Sequence, residues 1–352
     1  MSDSVSRFRP IHDLYRAAHY QAGRVGRGVA VSALVATAAL FLATHYSAPV
    51  MLFALLLGMA FGFLRAEPSF EEGIRFSTRT ILRVGVALLG ARLTLGDLAA
   101  LGIAPLVITC SVVAATLLFG YGISRLFGMR GAFSVLSAGS VSICGASAAL
   151  GIASTLPRDD RLHLDTVIVV VSVSALSTIA LVVYPIFAQQ MGMDDVQAGV
   201  FLGATIHDVA QVVGAGFSVS ETSGEIATVI KLLRVAMLLP LVIALAIATR
   251  ALVKRHFMAG EPGGASPPVP WFLFGFLALV LINSLGWIPG SLVGLLASAS
   301  TGCLITAVAA LGIQSSIGEV LKRGWQPITV ILFQTLFMGV IGAALVMQLV
   351  SG

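Results

Sequence analysis

Charged residues are scarce in this chain of 352 residues, where Asp, Glu, Lys and Arg together make up 11%. Soluble domains carry roughly 25%. Apolar residues make up 57% and the mean hydropathy is +0.98, so polar side chains are too few to coat a globule of 36.5 kDa. The composition excludes soluble enzymes, disordered proteins, coiled coils and secreted disulfide scaffolds. It predicts an all-α polytopic membrane protein.

Cysteine and metal-binding patterns are equally sparse. Cys110, Cys144 and Cys303 stand singly in apolar runs, with neither disulfide nor metal-ligand spacing. No nucleophile elbow accompanies the Ser, His and Asp residues, so we expect no enzyme activity, no metal and no cofactor. The net charge of +5 comes without a basic stripe interleaved with aromatics, which argues against a nucleic-acid partner.

Apolar runs of about 20 residues can cross a bilayer. Nine runs approach or exceed this length: 28–45, 49–64, 80–96, 103–124, 164–188, 226–249, 271–288, 293–320 and 326–350. Two further segments, 131–156 and 197–219, are rich in Gly and Ser around polar groups at mid-segment, which favours helices broken inside the membrane. These are the eleven apolar segments of the predicted fold.

The few basic residues set the predicted orientation. Residues 1–27 contain five arginines and form a predicted cytoplasmic segment, while 28–45 is interpreted as a retained span, although Ala43–Ala48 loosely mimics a signal cleavage site. With both broken segments re-entrant, Lys and Arg fall almost entirely in inside loops, including the cytoplasmic loop 250–270, and Arg92 is the outward exception. This predicts nine crossings, a cytoplasmic N-terminus and an outside C-terminus. The alternative, in which both broken segments cross, places Arg158 and Arg161 outside.

An internal repeat supports this topology. Residues 86–105 and 308–327 share seven identities in twenty, and Gly139 aligns with Gly203 in the two broken segments. We therefore predict one transmembrane domain, 28–350, with repeat-like parts 49–188 and 197–350 of opposite orientation. Inverted repeats of this kind place a transporter's site where paired broken helices meet. The alternative is that spans rich in Gly, Ala and Leu match one another by composition alone.

The first broken segment suits an anion. Ser140, Ser142, Cys144, Gly145 and Ser147 combine hydroxyls with a glycine that would let the N–H groups of a half-helix starting near Gly145 face a cavity. A Ser/Gly packing seam is the alternative.

The second broken segment adds groups that ionise. Thr205, His207 and Gln211 are predicted substrate ligands, and His207 and Asp208 are candidates for coupling transport to protons or ions. A hydrogen-bond network that merely holds the break together is the alternative. Arg234 is predicted to bind the anion or attract it, whereas Lys231, one turn away, is expected to snorkel toward the interface.

These residues carry a family resemblance. The stretches SVSICGASAAL (140–150), GATIHDVAQVVGAG (203–216) and LRVGVALLGARLTL (82–95) resemble the YeiH-type sulfate exporter family of bacterial inner-membrane proteins. The chain is also more distantly similar to the bile-acid/sodium symporter superfamily, whose broken helices lie in inverted repeats. The resemblance implies export of sulfate or a related sulfur oxyanion, while the residues themselves indicate only an anion.

The sequence therefore predicts a secondary active transporter that exports a small sulfur oxyanion, with proton coupling. Its predicted partners are that small inorganic or sulfur-containing anion, the lipid bilayer and a second copy of the chain in a homodimer. A passive anion channel and a sodium-coupled organic-anion symporter are the alternatives.

Overall fold

Only helices occur as regular elements in the described part of the chain. The computed structural model describes residues 9–46, 50–157, 160–245, 247, 271–314 and 325–350, and their side chains from residue 25 onward except at 98, 100 and 160. The helices are α1 (Arg9–Tyr46), α2 (Val50–Ala60), α3 (Pro68–Phe76), α4 (Leu82–Leu89), α5 (Leu95–Ala100), α6 (Ala104–Leu126), α7 (Gly131–Ser142), α8 (Ala146–Ala153), α9 (Asp160–Gln190), α10 (Asp195–Thr205), α11 (Val209–Val219), α12 (Glu221–Ala236), α13 (Trp271–Ser284), α14 (Gly290–Gln314) and α15 (Trp325–Leu349). The predicted all-α polytopic fold is confirmed.

Six described helical stretches are long and apolar enough to cross a membrane. They are Val25–Tyr46, Ala104–Leu126, Arg161–Gln190, Glu221–Leu245, Gly290–Gln314 and Trp325–Leu349, each matching a predicted span. The spans predicted at 49–64 and 271–288 form shorter helices, α2 with 11 residues and α13 with 14. At 1.5 Å per residue α2 is about 16 Å long, roughly half of a bilayer core.

The remaining predicted span, 80–96, differs for a local reason. Helical backbone starts earlier, at Pro68, continues through a π-turn at Ser77–Ile81 and ends in a 3-10 turn at Gly90–Arg92. Thr94 and Asp97 then form a capping box that starts α5. A capping box satisfies backbone N–H groups at a helix start, so the chain begins a new helix inside the predicted span. The number of crossings stays a prediction.

The chain forms two compact units, and the first comprises residues 1–85 and 298–315. Its helices approach closely at paired glycines. A Cβ built on Gly28 of α1 would meet the carbonyl oxygen of Phe70 and lie 2.6 Å from the Gly73 Cα of α3. Gly58 and Gly312 make a similar close contact between α2 and α14. Small residues at helix crossings let backbones approach each other in membrane proteins.

The second unit comprises residues 86–297 and 316–352 and contains both broken segments. Here α12 packs on α10 and α11, and α6 packs on α7 and α15. Arg92, the predicted outward exception among the cations, pairs with Glu221 at 2.8 Å and Glu225 at 3.0 Å at the start of α12. These two carboxylates offset the positive charge of Arg92 on the side of the membrane predicted to be outside.

The two ends of the long repeat can be compared in part. α4 ends at Leu89 and α14 ends at Gln314, each inside its copy of the repeat. Pro105 and Pro327 each stand in the first turn of the following long helix. Residues 315–324 of the second copy and the predicted loop 250–270 lie outside the described residues. The single domain with parts 49–188 and 197–350 stays a prediction, as does the cytoplasmic segment 1–27, within which α1 already begins at Arg9.

Gly28→Ala should destabilise the first unit because the added methyl would collide with backbone atoms of α3, which cannot move aside like a flexible side chain. Gly26→Ala is the matched control: nothing lies within 4 Å of its Cβ position, and Ala in a helix is about 0.5–1 kcal/mol better than Gly. Thermal unfolding of the purified protein in detergent should show a lower Tm for Gly28→Ala and an equal or higher one for Gly26→Ala. Equal midpoints for the two variants would contradict the close crossing.

Candidate functional site

Both Gly- and Ser-rich segments are broken helices, as predicted. α7 ends at Ser142 and α8 begins at Ala146, while α10 ends at Thr205 and α11 begins at Val209. With Gly139 aligned on Gly203, the ends of the corresponding half-helices differ by a single residue. The weak sequence alignment of the two segments therefore places the two helix breaks at equivalent positions.

Gly145 makes the first break possible. Its φ is +63° and ψ is −120°, a conformation that side chains with a Cβ rarely adopt. A Cβ there would also lie 2.9 Å from Val173 Cγ1 and 3.4 Å from His207 Cβ. The glycine thus allows the chain to turn and lets the two broken segments approach each other.

A broken helix leaves backbone carbonyls at its C-terminal end without partners, and here Arg234 of α12 supplies donors. Its guanidinium is fully buried. It donates to the carbonyl oxygens of Val141, Ser142, Gly203 and Ile206 at 2.8–3.3 Å and to the Met338 sulfur at 3.4 Å. Ser142 and Ile206 occupy equivalent positions in the two segments, so one side chain joins the matching ends of α7 and α10.

Lys231, one turn earlier on α12, also donates hydrogen bonds to backbone carbonyls at both breaks. Its Nζ donates to the carbonyl oxygens of Ile143 and Ile206, each at 2.8 Å, and the residue is fully buried. The expectation that Lys231 snorkels to the interface is wrong. The backbone carbonyls of the two breaks hold its ammonium group inside the protein instead.

These two cations are compensated without ion pairs. Among the described residues, neither side chain forms a salt bridge with a carboxylate. The C-terminal end of a helix carries a partial negative charge, and the ends of α7 and α10 both face this pair.

His207 lies in the second break and contacts the first. The residue is fully buried, with Nδ1 3.2 Å from the carbonyl oxygen of Val141 and Nε2 3.0 Å from Thr335 Oγ1 on α15. Asp208, half-buried, accepts a hydrogen bond from the Ala210 N–H at 3.4 Å and so caps α11. Its own N–H donates to Ser177 Oγ on α9.

The two half-helix starts therefore differ. α11 begins with the Asp208 carboxylate, whereas α8 begins with Gly145, which has no side chain to cap the first-turn N–H groups. Ser147 is exposed in that first turn. Only the start of α8 thus offers backbone donors without a carboxylate of its own.

The other predicted ligands lie nearby but face their own helices. The buried hydroxyls of Ser140, Ser142 and Thr205 donate to Leu136, Gly139 and Phe201 carbonyls. Gln211 is buried, and its Oε1 has no hydrogen-bond partner among the described residues. Cys144 is a buried free thiol. The structure thus brings Gly145 against His207, and His207 and Arg234 both contact the Val141 carbonyl oxygen. Ser147 lies apart at the surface.

Sequence reasoning missed Thr335, Met338 and Ser177, which complete the hydrogen bonds around the breaks. They are single polar or thioether side chains inside long apolar helices. Such residues are common as packing contacts between membrane helices, and their distance along the chain from either break hides the connection.

Comparison with known proteins supports the family resemblance. The profile of a family described as conserved hypothetical protein 698 matches residues 27–331. The chain is 46% identical to a UPF0324 membrane protein of Chlorobaculum tepidum, over 94% of this chain and 91% of the relative. It is 49% identical to the UPF0324 membrane protein TauZ of Paracoccus pantotrophus, over 89% and 92%. No solved structure matches the chain.

Arg234→Lys should destabilise the protein even though it keeps the charge. An ammonium has three N–H donors where the guanidinium has five, so it cannot satisfy all four carbonyls that Arg234 binds, and each buried carbonyl left without a donor costs about 1–3 kcal/mol. The matched control is Thr228→Val on the same helix, which removes only a hydroxyl bonded to Gly224 of its own helix. Thermal unfolding in detergent should show a clearly larger loss for Arg234→Lys. A Tm equal to that of the wild type would contradict the proposed cap.

Proposed function

Because the chain belongs to the family of UPF0324 membrane proteins, described as conserved hypothetical protein 698, we propose that it is a secondary active transporter. Its proposed substrate is sulfate or a related small sulfur oxyanion, exported across the bacterial inner membrane with the N-terminus cytoplasmic and the C-terminus outside. The YeiH-type resemblance suggests the sulfur chemistry, and the charge of the site supports an anion.

One observation carries this proposal: Lys231 and Arg234 are both fully buried at the crossing of two broken helices, and neither forms an ion pair with a carboxylate in the part of the chain that the structure describes. Isolated charges are expensive to bury in a membrane protein and are retained where they serve transport. Arg234 donates to four backbone carbonyls and the Met338 sulfur, and Lys231 Nζ donates to two backbone carbonyls. In this proposal the two cations attract the anion through their field and keep the half-helices in place.

The proposed contact point is the first turn of α8. Gly145 provides no cap there, and Ser147 adds an exposed hydroxyl. Free N–H groups at a helix N-terminus bind oxyanions, and the helix dipole favours negative charge at that end. The Asp208 carboxylate at the start of α11 would repel an anion, so the two breaks have different roles: α8 for the anion, and His207 with Asp208 for coupling.

Coupling to a proton is compatible with export. A divalent oxyanion that travels with one proton still carries one negative charge outward. An interior-negative membrane potential favours that movement by about 2.3 kcal/mol per elementary charge per 100 mV. The homodimer stays part of this proposal and does not affect the site, whose residues all belong to one chain.

Counterflow in proteoliposomes tests the transporter against its alternatives. Vesicles loaded with unlabelled sulfate, sulfite, a sulfonate or a carboxylate should transiently accumulate the labelled oxyanion only when a true substrate is inside. Conductance that does not saturate, without counterflow, would indicate a channel. Counterflow that requires sodium and prefers organic carboxylates would indicate the symporter.

Ser147→Asp should abolish transport while leaving the fold intact. A carboxylate in the first turn of α8 would occupy the proposed anion position and stabilise the helix by about 0.3–1 kcal/mol through its dipole. Ser154→Asp, at the C-terminal end of the same helix, adds the same charge and should keep transport despite a small loss of stability. The measurements are counterflow and Tm on both variants. Wild-type counterflow by Ser147→Asp would rule out this anion position.

A further inference from the structure

The two ring nitrogens of His207 have chemically different partners. Nδ1 faces the carbonyl oxygen of Val141 at 3.2 Å, and a carbonyl oxygen can only accept hydrogen bonds. Nδ1 must therefore carry a hydrogen and donate it. In the neutral ring the second nitrogen is then the unprotonated one, so Nε2 is the atom that can take up a proton.

Nε2 lies 3.0 Å from Thr335 Oγ1, and that hydroxyl also lies 2.9 Å from the carbonyl oxygen of Ile331. A hydroxyl has one hydrogen and can also accept. When the ring is neutral, the Thr335 hydroxyl donates to Nε2. When Nε2 carries a proton, the ring donates to Thr335 Oγ1, whose hydrogen turns to Ile331. Both protonation states of His207 are therefore hydrogen-bonded without movement of a heavy atom.

The charged groups around His207 determine when Nε2 can keep its added proton. The titratable groups around this ring are Arg234 and Lys231 on α12, Cys144 in the first break, Asp208 beside it, and Tyr184 on α9, whose hydroxyl donates to the Thr335 carbonyl. Two buried cations oppose a third positive charge on His207. An oxyanion at the start of α8 would offset that charge, because Gly145 lies against His207. Proton and anion should therefore favour each other's binding.

We infer that Thr335 is the positioning residue for the coupled proton: its hydroxyl hydrogen-bonds Nε2 of His207 in both protonation states, so the nitrogen that the Val141 contact leaves unprotonated can take up a proton together with the oxyanion. This inference rests on the proposed function. One proton passes from solution to Nε2, and the Thr335 hydroxyl turns its hydrogen from Nε2 to the carbonyl oxygen of Ile331. Release of the proton reverses both changes. No other bond forms or breaks.

Thr335→Val and Thr335→Ser test this role. Binding of radiolabelled sulfate to the purified full-length protein is measured at about pH 6 and about pH 8, on either side of the ordinary histidine pKa. We expect the wild type and Thr335→Ser to bind sulfate about tenfold more tightly at acid pH than at alkaline pH. A tenfold ratio in affinity corresponds to about the net free energy of one hydrogen bond. Thr335→Val should bind sulfate with the same affinity at both pH values. A wild-type pH dependence in Thr335→Val would overturn the inference.

A second measurement is independent of transport. ¹⁵N NMR spectra of histidine-labelled wild-type protein, after subtraction of the His207→Gln spectrum, report the tautomer of this ring. The expected result at alkaline pH is a neutral ring with hydrogen on Nδ1, and hydrogen on Nε2 would overturn the inference. If instead the tautomer is as expected but the wild type shows no counterflow with any anion tested, the proposed function fails and the coupled-proton role fails with it.

Discussion

The C-terminal ends of two interrupted helices set the main physical constraint on this protein. Each interruption removes partners from backbone carbonyls in a protein that spans a membrane, and an unsatisfied buried carbonyl is costly. α12 resolves both ends with Arg234 and Lys231, whose donors reach the carbonyls of Ser142, Ile143 and Ile206. Guanidinium geometry suits this task because its five N–H groups form a fixed planar fork.

α12 connects this centre to the rest of the second unit. Its first turns carry Glu221 and Glu225, which pair with Arg92, and its last two turns carry the two buried cations. A displacement of α12 would therefore change the ion pairs at one end and the hydrogen bonds of both breaks together.

The two breaks are similar in position but differ in chemistry. The first has Gly145 and an uncapped helix start, whereas the second has His207 and a helix capped by Asp208. In the proposed transporter an anion and a proton would bind at neighbouring positions, so equivalent backbone geometry would provide two different ligand chemistries. Thr335, from a helix outside both segments, contacts Nε2 of His207 at 3.0 Å.

Composition and local pattern alone determined the all-α membrane fold, the positions of both breaks, the polar residues in them and the family. These properties depend on hydropathy, small residues and short motifs, which neighbouring residues express directly. Tertiary structure alone decided which donor meets which carbonyl, because Lys231 and Arg234 bind residues 25 to 93 positions away. It also overturned the snorkelling of Lys231 and placed Ser147 at the surface, since burial depends on how the helices pack around each residue.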